Sequence, residues 1–413
     1  MRVEHVETYL YRVKRQRPIR NGLYTYSESG TTLVRVRTSD GVEGFGWAGG
    51  QAGPDRAVFE AACALSEYAL GLDVFDTERL WERMYQPKIY GRRGLTTRAM
   101  AAIDIAMWDA AGKSVGVPVY KLLGGFRSRV PAYLAGGYYL EGKGLDDLAA
   151  EMRQKLAAGA RYVKIKIGGA PPHEDAERVR VVRQAIGDEI GLMVDANNAY
   201  SPLEAIDMAR RIERYHPYWF EEPVHAEDYE GLARVKAATS IPIAAGENEY
   251  TRYGFRDLIA CGGADILQPD ANVLGGITEY RHVASLAGAH RLPIAPHGSG
   301  LLHAHLVAAF SNGLIVEHVV TEGEGRGGMF KTRLTLDEDG MVSPPAAPGL
   351  GIELDEEHLA RHLVASAERY YRIMYYAGTC ATRTWPTRST TFSNRVGPMR
   401  RRWSGRITAI SAT

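Results

Sequence analysis

Seven side chains between positions 164 and 297 are of types that do acid–base or metal chemistry: Lys164, Lys166, Asp195, Glu221, Glu247, Asp270 and His297. Asp195, Glu221 and Glu247 follow one another at equal intervals of 26 residues. Three carboxylates brought together cannot all stay ionised without a counter-charge. A hard divalent cation meets that need, and an all-oxygen donor set selects Mg²⁺ or Mn²⁺. Lys164 and Lys166 stand two apart, so in a strand their side chains share one face. A lysine beside a cation and a second lysine has its pKa lowered and acts as a base near neutral pH. His297 and Asp270 make a second base, with a carboxylate to fix the imidazole tautomer and stabilise the imidazolium.

The elements that must position these groups repeat. Each of the three acids closes a short apolar or β-prone run, and amphipathic stretches of helical spacing lie between the runs. Repeated strand–helix units of this length predict a parallel (β/α) barrel, whose strand ends meet on one rim where active sites lie. The strands are expected at 130–135, 162–167, the three acid-bearing runs, 264–270, 292–297 and 313–317. Ile165 and Ile167 face the helices in this reading, so the lysines face inward. His297 and the lysine strand then lie across the barrel from each other. Glu222 and Glu249 flank ligands and point away. His173, His216, His225, His303 and His305 read as structural or exposed.

The chain has 413 residues, beyond the ~250 of a barrel alone. Residues 1–50 read as strands, with a polar and aromatic loop at 17–24, and residues 55–124 read as helices. The division expected is an α+β capping domain at 1–125, the barrel at 126–325, and a segment at 326–376 returning to the cap. The last stretch, 377–413, has seven arginines and no acid; it reads as a disordered tail or a non-native extension. Formal net charge is +1, which suggests neither nucleic acid nor a membrane surface as partner. No apolar run approaches the ~18 residues of a membrane span. Three cysteines without metal or redox spacing, and no signal peptide, fit a cytoplasmic protein.

The ordered motifs Lys-x-Lys (Lys164, Lys166), Asp-x-Asn (Asp195, Asn197), Glu-Glu-Pro (Glu221 to Pro223), Gly-Glu-Asn (Gly246 to Asn248), Gln-Pro-Asp (Gln268 to Asp270), Pro-His-Gly (Pro296 to Gly298) and Val-Glu-His (Val316 to His318) resemble the enolase superfamily, mandelate racemase subgroup. The resemblance spans about 1 to 360. It implies an α/β fold, a modified (β/α) TIM-type barrel closed by an N-terminal α+β cap, and a homo-oligomer. It also implies Mg²⁺ on Asp195, Glu221 and Glu247, with Lys166 and His297 as bases and Asp270 behind His297. Lys164 would neighbour the substrate carboxylate, Glu317 would donate a hydrogen bond to it, and Asn197 would contact substrate.

Removal of a proton α to a carboxylate makes a dianionic enediolate, which such a site can stabilise. Two outcomes follow: loss of a β-hydroxyl from an acid sugar, giving a 2-keto-3-deoxy acid, or reprotonation, giving a racemase or epimerase. A non-catalytic metal scaffold does not need the complete acid–base set. The cap loop carries Arg20, Asn21, Tyr24 and Tyr26, and the first barrel strand runs into Tyr138 and Tyr139. These hydrogen-bonding groups suit hydroxyls, with Arg20 facing a second carboxylate. The stretch from Tyr138 is most similar to tartrate-type dehydratases, so dehydration of a hydroxy-carboxylate is the leading expectation.

Overall fold

The computed structural model describes residues 1–51, 54–318 and 328–370. The arginine-rich stretch at 377–413 lies outside them. Three antiparallel strands open the chain: β1 (Val3–Arg20), β2 (Thr25–Thr38) and β3 (Glu43–Gln51). The first two form a long hairpin. Strand pairing continues to Arg20↔Thr25, past a register shift between Lys14 and Ile19, so the loop expected at 17–24 shrinks to four residues. The outer arm lacks apolar alternation because it stands clear of the cap core. Backbone pairing extends it, and its end bridges Arg20 to Tyr139 of the barrel.

The helix Leu95–Ser114 packs across this sheet, buried along most of its length. Its neighbours on β3 are glycines. A Cβ at Gly44 would meet Ala106 O at 2.3 Å, and one at Gly46 would meet Ala102 O at 2.3 Å. Close approach of sheet and helix is what those two glycines provide.

The barrel strands are β4 (Val130–Ala135), β5 (Tyr162–Lys166), β6 (Gly191–Asp195), β7 (Trp219–Glu221), β8 (Ile243–Ala245), β9 (Ile266–Leu267) and β10 (Val316–His318). They pair in parallel in the order β10-β4-β5-β6-β7-β8-β9. The gap between β9 and β10 is closed by residues 292–297, which bridge Leu267 through Ile294 and continue from Ile294 to Gly313. The strand expected at 292–297 is thus present as an extended segment without a continuous ladder, and that expected at 264–270 is only two residues long. Pro269, Pro293 and Pro296 explain both, since each removes an N–H donor from the ladder.

Alternation sorts the side chains. Tyr133, Ala135, Met193, Trp219, Ala244, Ile266, Ala295 and Ile315 fill the barrel interior, while Val163, Ile165, Val194, Ile243 and Leu267 pack under the helices. The chain then returns: β11 (Met341–Val342) pairs with β4, and β12 (Leu363–Tyr370) adds to β1 at the edge of the cap sheet. Among the described residues no helix is long and apolar enough to cross a membrane.

Candidate active site

β5, β6 and β7 end side by side, with Lys166 level with Asp195 and Asp195 level with Glu221. Lys164 is fully buried; its Nζ lies 2.7 Å from Glu221 Oε1, 3.2 Å from Glu317 Oε1 and 3.7 Å from Asp195 Oδ2, and it donates to the Tyr133 hydroxyl at 3.2 Å. Lys166 Nζ donates to Asp195 Oδ2 and faces the Tyr138 ring, 5.4 Å from its centroid. Glu221 Oε2 accepts from Trp219 Nε1 at 2.9 Å, and Asp195 Oδ1 accepts from Asn197 N at 2.8 Å. On the other wall His297 Nδ1 faces Asp270 Oδ2 at 3.0 Å, leaving Nε2 toward Glu247 Oε2 at 3.6 Å and Glu317 Oε2 at 4.0 Å.

Burial and charge oppose each other here. Burial disfavours the Lys166 ammonium, but Asp195 outweighs it and holds the amine above its ordinary value. Lys164 is likewise raised against burial by Glu221 and Glu317. The lowered lysine pKa expected from sequence is therefore reversed in the protein alone, because the acids sit closer to each lysine than the lysines' mutual repulsion can offset. Burial and Asp195 push Glu221 up to about 8. Burial also raises Glu317, but Lys164 and His297 overcome it and hold it down at about 2. As a carboxylate it accepts from Gly298 N at 2.6 Å; the donor role implied for Glu317 needs the opposite protonation state. His297 is raised against burial by Glu247 and Asp270.

Asp195, Glu221 and Glu247 each offer an oxygen within 4.8 Å of the others. Glu247 Oε2 is buried and, among the described residues, has no hydrogen-bond partner. A carboxylate with an orphaned oxygen, grouped with two other acids, fits a hard cation with oxygen ligands, as Mg²⁺ requires.

The remaining residues singled out in the sequence fall into two groups. Tyr138 faces Lys166, and Asn197, at φ +43° with a buried Oδ1 that has no partner among the described residues, stands next to the acids. Arg20, Asn21 and Tyr139 are engaged in holding the cap arm. Asn21 Oδ1 accepts from Leu23 N and Tyr24 N, and its Nδ2 donates to the Tyr26 hydroxyl. The Tyr139 ring is sandwiched between Arg20 and Arg178, at 4.9 and 4.1 Å, and its hydroxyl donates to Asp175. Sequence reasoning did not find Tyr133 and Trp219, which steady Lys164 and Glu221. Their signal was the two-residue period: each occupies an inward position, two residues before the next inward position on its own strand. Asp175 and Arg178 were also missed, although they fasten the loop after Lys166 through Gly168 N at 2.8 Å and Lys166 O at 3.3 Å. His303, read from sequence as structural or exposed, is buried; it accepts from Ala271 N, bonds Gly298 O and brings Nε2 within 3.7 Å of Asp270 Oδ1.

A barrel rim with this acid–base set and an α+β cap defines a class, and sequence comparison agrees with it. Residues 5–124 match the mandelate racemase/muconate lactonizing enzyme N-terminal domain, and residues 147–358 match the enolase C-terminal domain-like family. The chain belongs to this family of the enolase superfamily. It is 34% identical over 323 residues to the arabinonate dehydratase of Saccharolobus solfataricus, covering 77% of this chain and 86% of that protein. It is 35% identical over 375 residues to the D-galactarolactone cycloisomerase of Agrobacterium fabrum, covering 87% of this chain and 98% of that protein. The structure of L-talarate/galactarate dehydratase from Salmonella typhimurium LT2, liganded with Mg and L-lyxarohydroxamate, superposes with a TM-score of 0.83 at 31% identity, covering 90% and 95% of the two chains.

Proposed function

We propose that the chain is a Mg²⁺-dependent hydro-lyase that removes water from an acid sugar to give a 2-keto-3-deoxy acid. The observation that carries this is the pairing of bases with different acids of one cation site: Lys166 with Asp195, His297 with Glu247. Mg²⁺ held by Asp195, Glu221 and Glu247 supplies a Lewis acid for the substrate carboxylate. Lys164 Nζ and the Glu317 carboxyl face that same carboxylate. An incoming anion competes for Lys164 and raises Glu317 toward the protonated form that donates a hydrogen bond. One base, Lys166 Nζ or His297 Nε2, takes the α-proton. The other delivers a proton to the departing β-hydroxyl or back to carbon. Asp270 holds His297 Nδ1 so that Nε2 is the working nitrogen. Asn197 and Tyr138 complete the substrate contacts; Arg20, Asn21 and Tyr139 hold the cap loop in place.

The test is a panel of five- and six-carbon aldonates and aldarates, arabinonate and galactarate among them, incubated with Mg²⁺ and scored for keto acid by a carbonyl-reactive dye and NMR. At least one member is expected to yield a keto acid. If none does while a 2-hydroxy acid loses optical rotation, the racemase reading replaces this one. The cycloisomerase match, which spans nearly the whole of that relative, supports a second reading. A sugar lactone consumed with no keto acid formed from the free acids would select it.

A further inference from the structure

Gln268 is fully buried, yet among the described residues neither its Nε2 nor its Oε1 has a hydrogen-bond partner. A buried amide is ordinarily satisfied, because it leaves two donors and an acceptor unmet otherwise. Its main chain is held firmly. Gln268 N donates to Ala245 O at 2.9 Å, and Ala295 N donates to Leu267 O at 2.9 Å. The residue therefore lies between the strand that runs into Glu247 and the segment that ends in His297, two positions before Asp270. Alternation gives its direction. Ile266 belongs to the barrel interior and Leu267 to the layer under the helices, so Gln268 turns inward again. The two neighbouring strands run on to Glu247 and His297, whose Oε2 and Nε2 are 3.6 Å apart.

We propose that Gln268 is a substrate-binding residue whose amide takes hydroxyls of the polyhydroxy chain on the His297 side of the site; this rests on the acid-sugar reading above. The chemistry of the amide chooses its occupant. A carboxylate only accepts, so it would leave Oε1 unmet and repelled. A cation would leave Nε2 unmet. An alcohol both donates and accepts, so hydroxyls on adjacent carbons satisfy both ends. A neutral amide also reads hydroxyls without adding charge beside His297, Asp270 and Glu247. Buried polar groups of this kind discriminate strongly against analogues that lack the matching hydroxyl.

The experiment compares the wild-type chain with Gln268→Leu and Gln268→Met in the presence of Mg²⁺. It measures kcat/KM for galactarate and arabinonate, and inhibition by adipate and pentanoate, the chain-matched acids without hydroxyls. Melting temperature and Mg²⁺ affinity identify a variant that has lost its fold or its cation site, and the better-folded of the two is scored. The proposal expects kcat/KM for the acid sugar to fall at least tenfold while inhibition by the deoxygenated acid changes less than twofold. An equal loss for both kinds of acid, or no loss for either, overturns it and leaves the amide bonded to water or packing alone. A wild-type chain that treats hydroxylated and deoxygenated acids alike sinks the acid-sugar reading, and the Gln268 assignment falls with it.

Discussion

Lys166 and His297 each rest against an acid that also belongs to the cation site, so base strength and cation binding are linked at the level of single atoms. Asp195 charge spent on a divalent cation no longer holds the Lys166 proton. Lys166→Ala and His297→Asn are expected to lower turnover by roughly 10²- to 10⁴-fold, the usual contribution of a positioned proton-transfer group, with the circular dichroism spectrum unchanged. In D₂O, the variant that lost the α-base should also lose exchange of the substrate α-proton, whereas the variant that lost only the leaving-group acid should keep it. Near-normal turnover in either would count against two-base chemistry. The ligands were legible because a carboxylate or lysine at a strand end is unusual and recurs at a fixed interval. Tyr133 and Trp219 were not, since an aromatic residue inside a strand is ordinary, and only the neighbour it touches gives it a role.

At the scale of elements, position depends on contacts between parts distant in sequence. The helix Ile277–Ala289 starts at the barrel and is capped from the other domain. Asp104, on the cap helix Leu95–Ser114, accepts from Thr278 N at 3.0 Å and from the Thr278 hydroxyl at 2.5 Å, while Trp108 Nε1 donates to that hydroxyl oxygen at 2.9 Å. Gly276, at φ +100°, leaves the space; a Cβ there would stand 2.3 Å from Asp104 Oδ2. No local capping signal before 277 announces this, which is why the joint was invisible in the sequence.

Burial raises Asp104 to about 7 despite these donors. Its folded pKa therefore lies above the unfolded value of about 3.9. Its contribution to stability is fully present below that unfolded value and lost as pH rises through about 7. Denaturant melts should show stability falling between pH 4 and pH 7, and Asp104→Asn should flatten that slope; an unchanged slope would exclude Asp104 as its source. The hairpin arm offers a second check. Its tip exposes Leu23 and Tyr24, at 51% and 53%, and is anchored at Arg20 by the Tyr139 stack and by Gly169 O at 2.9 Å. Arg20→Ala should speed chymotryptic cutting at the tip, read by mass spectrometry, and an unchanged rate would show that the backbone bridge alone suffices.

The whole molecule closes a cap over a barrel whose rim concentrates acid. The cap reaches the barrel through buried bonds: Trp81 Nε1 to Gly275 O at 3.1 Å and Asn272 Nδ2 to Trp47 O at 2.6 Å, while Asp109 ties the cap strand at Phe45 N to the returning segment at Leu350 N. Asn272 is also joined to the site, since its backbone N–H bonds Asp270 Oδ1 at 2.8 Å. Order at the rim is thus tied to order at the joint. A cation that binds only the folded rim then stabilises the entire assembly by linkage, about 2.7 kcal/mol at a concentration 100 times its Kd. Exhaustive chelation should lower the melting temperature and abolish turnover, and Mg²⁺ should restore both together, with the melting temperature rising with the logarithm of its concentration. The joint supplies the control. Asp104→Asn alters the cap without touching Asp195, Glu221 or Glu247, so it should shift the baseline melting temperature yet keep the same increment on adding Mg²⁺. Full activity after chelation would remove the cation from the reaction, and an increment that vanished in Asp104→Asn would place the binding site somewhere other than the three-carboxylate rim.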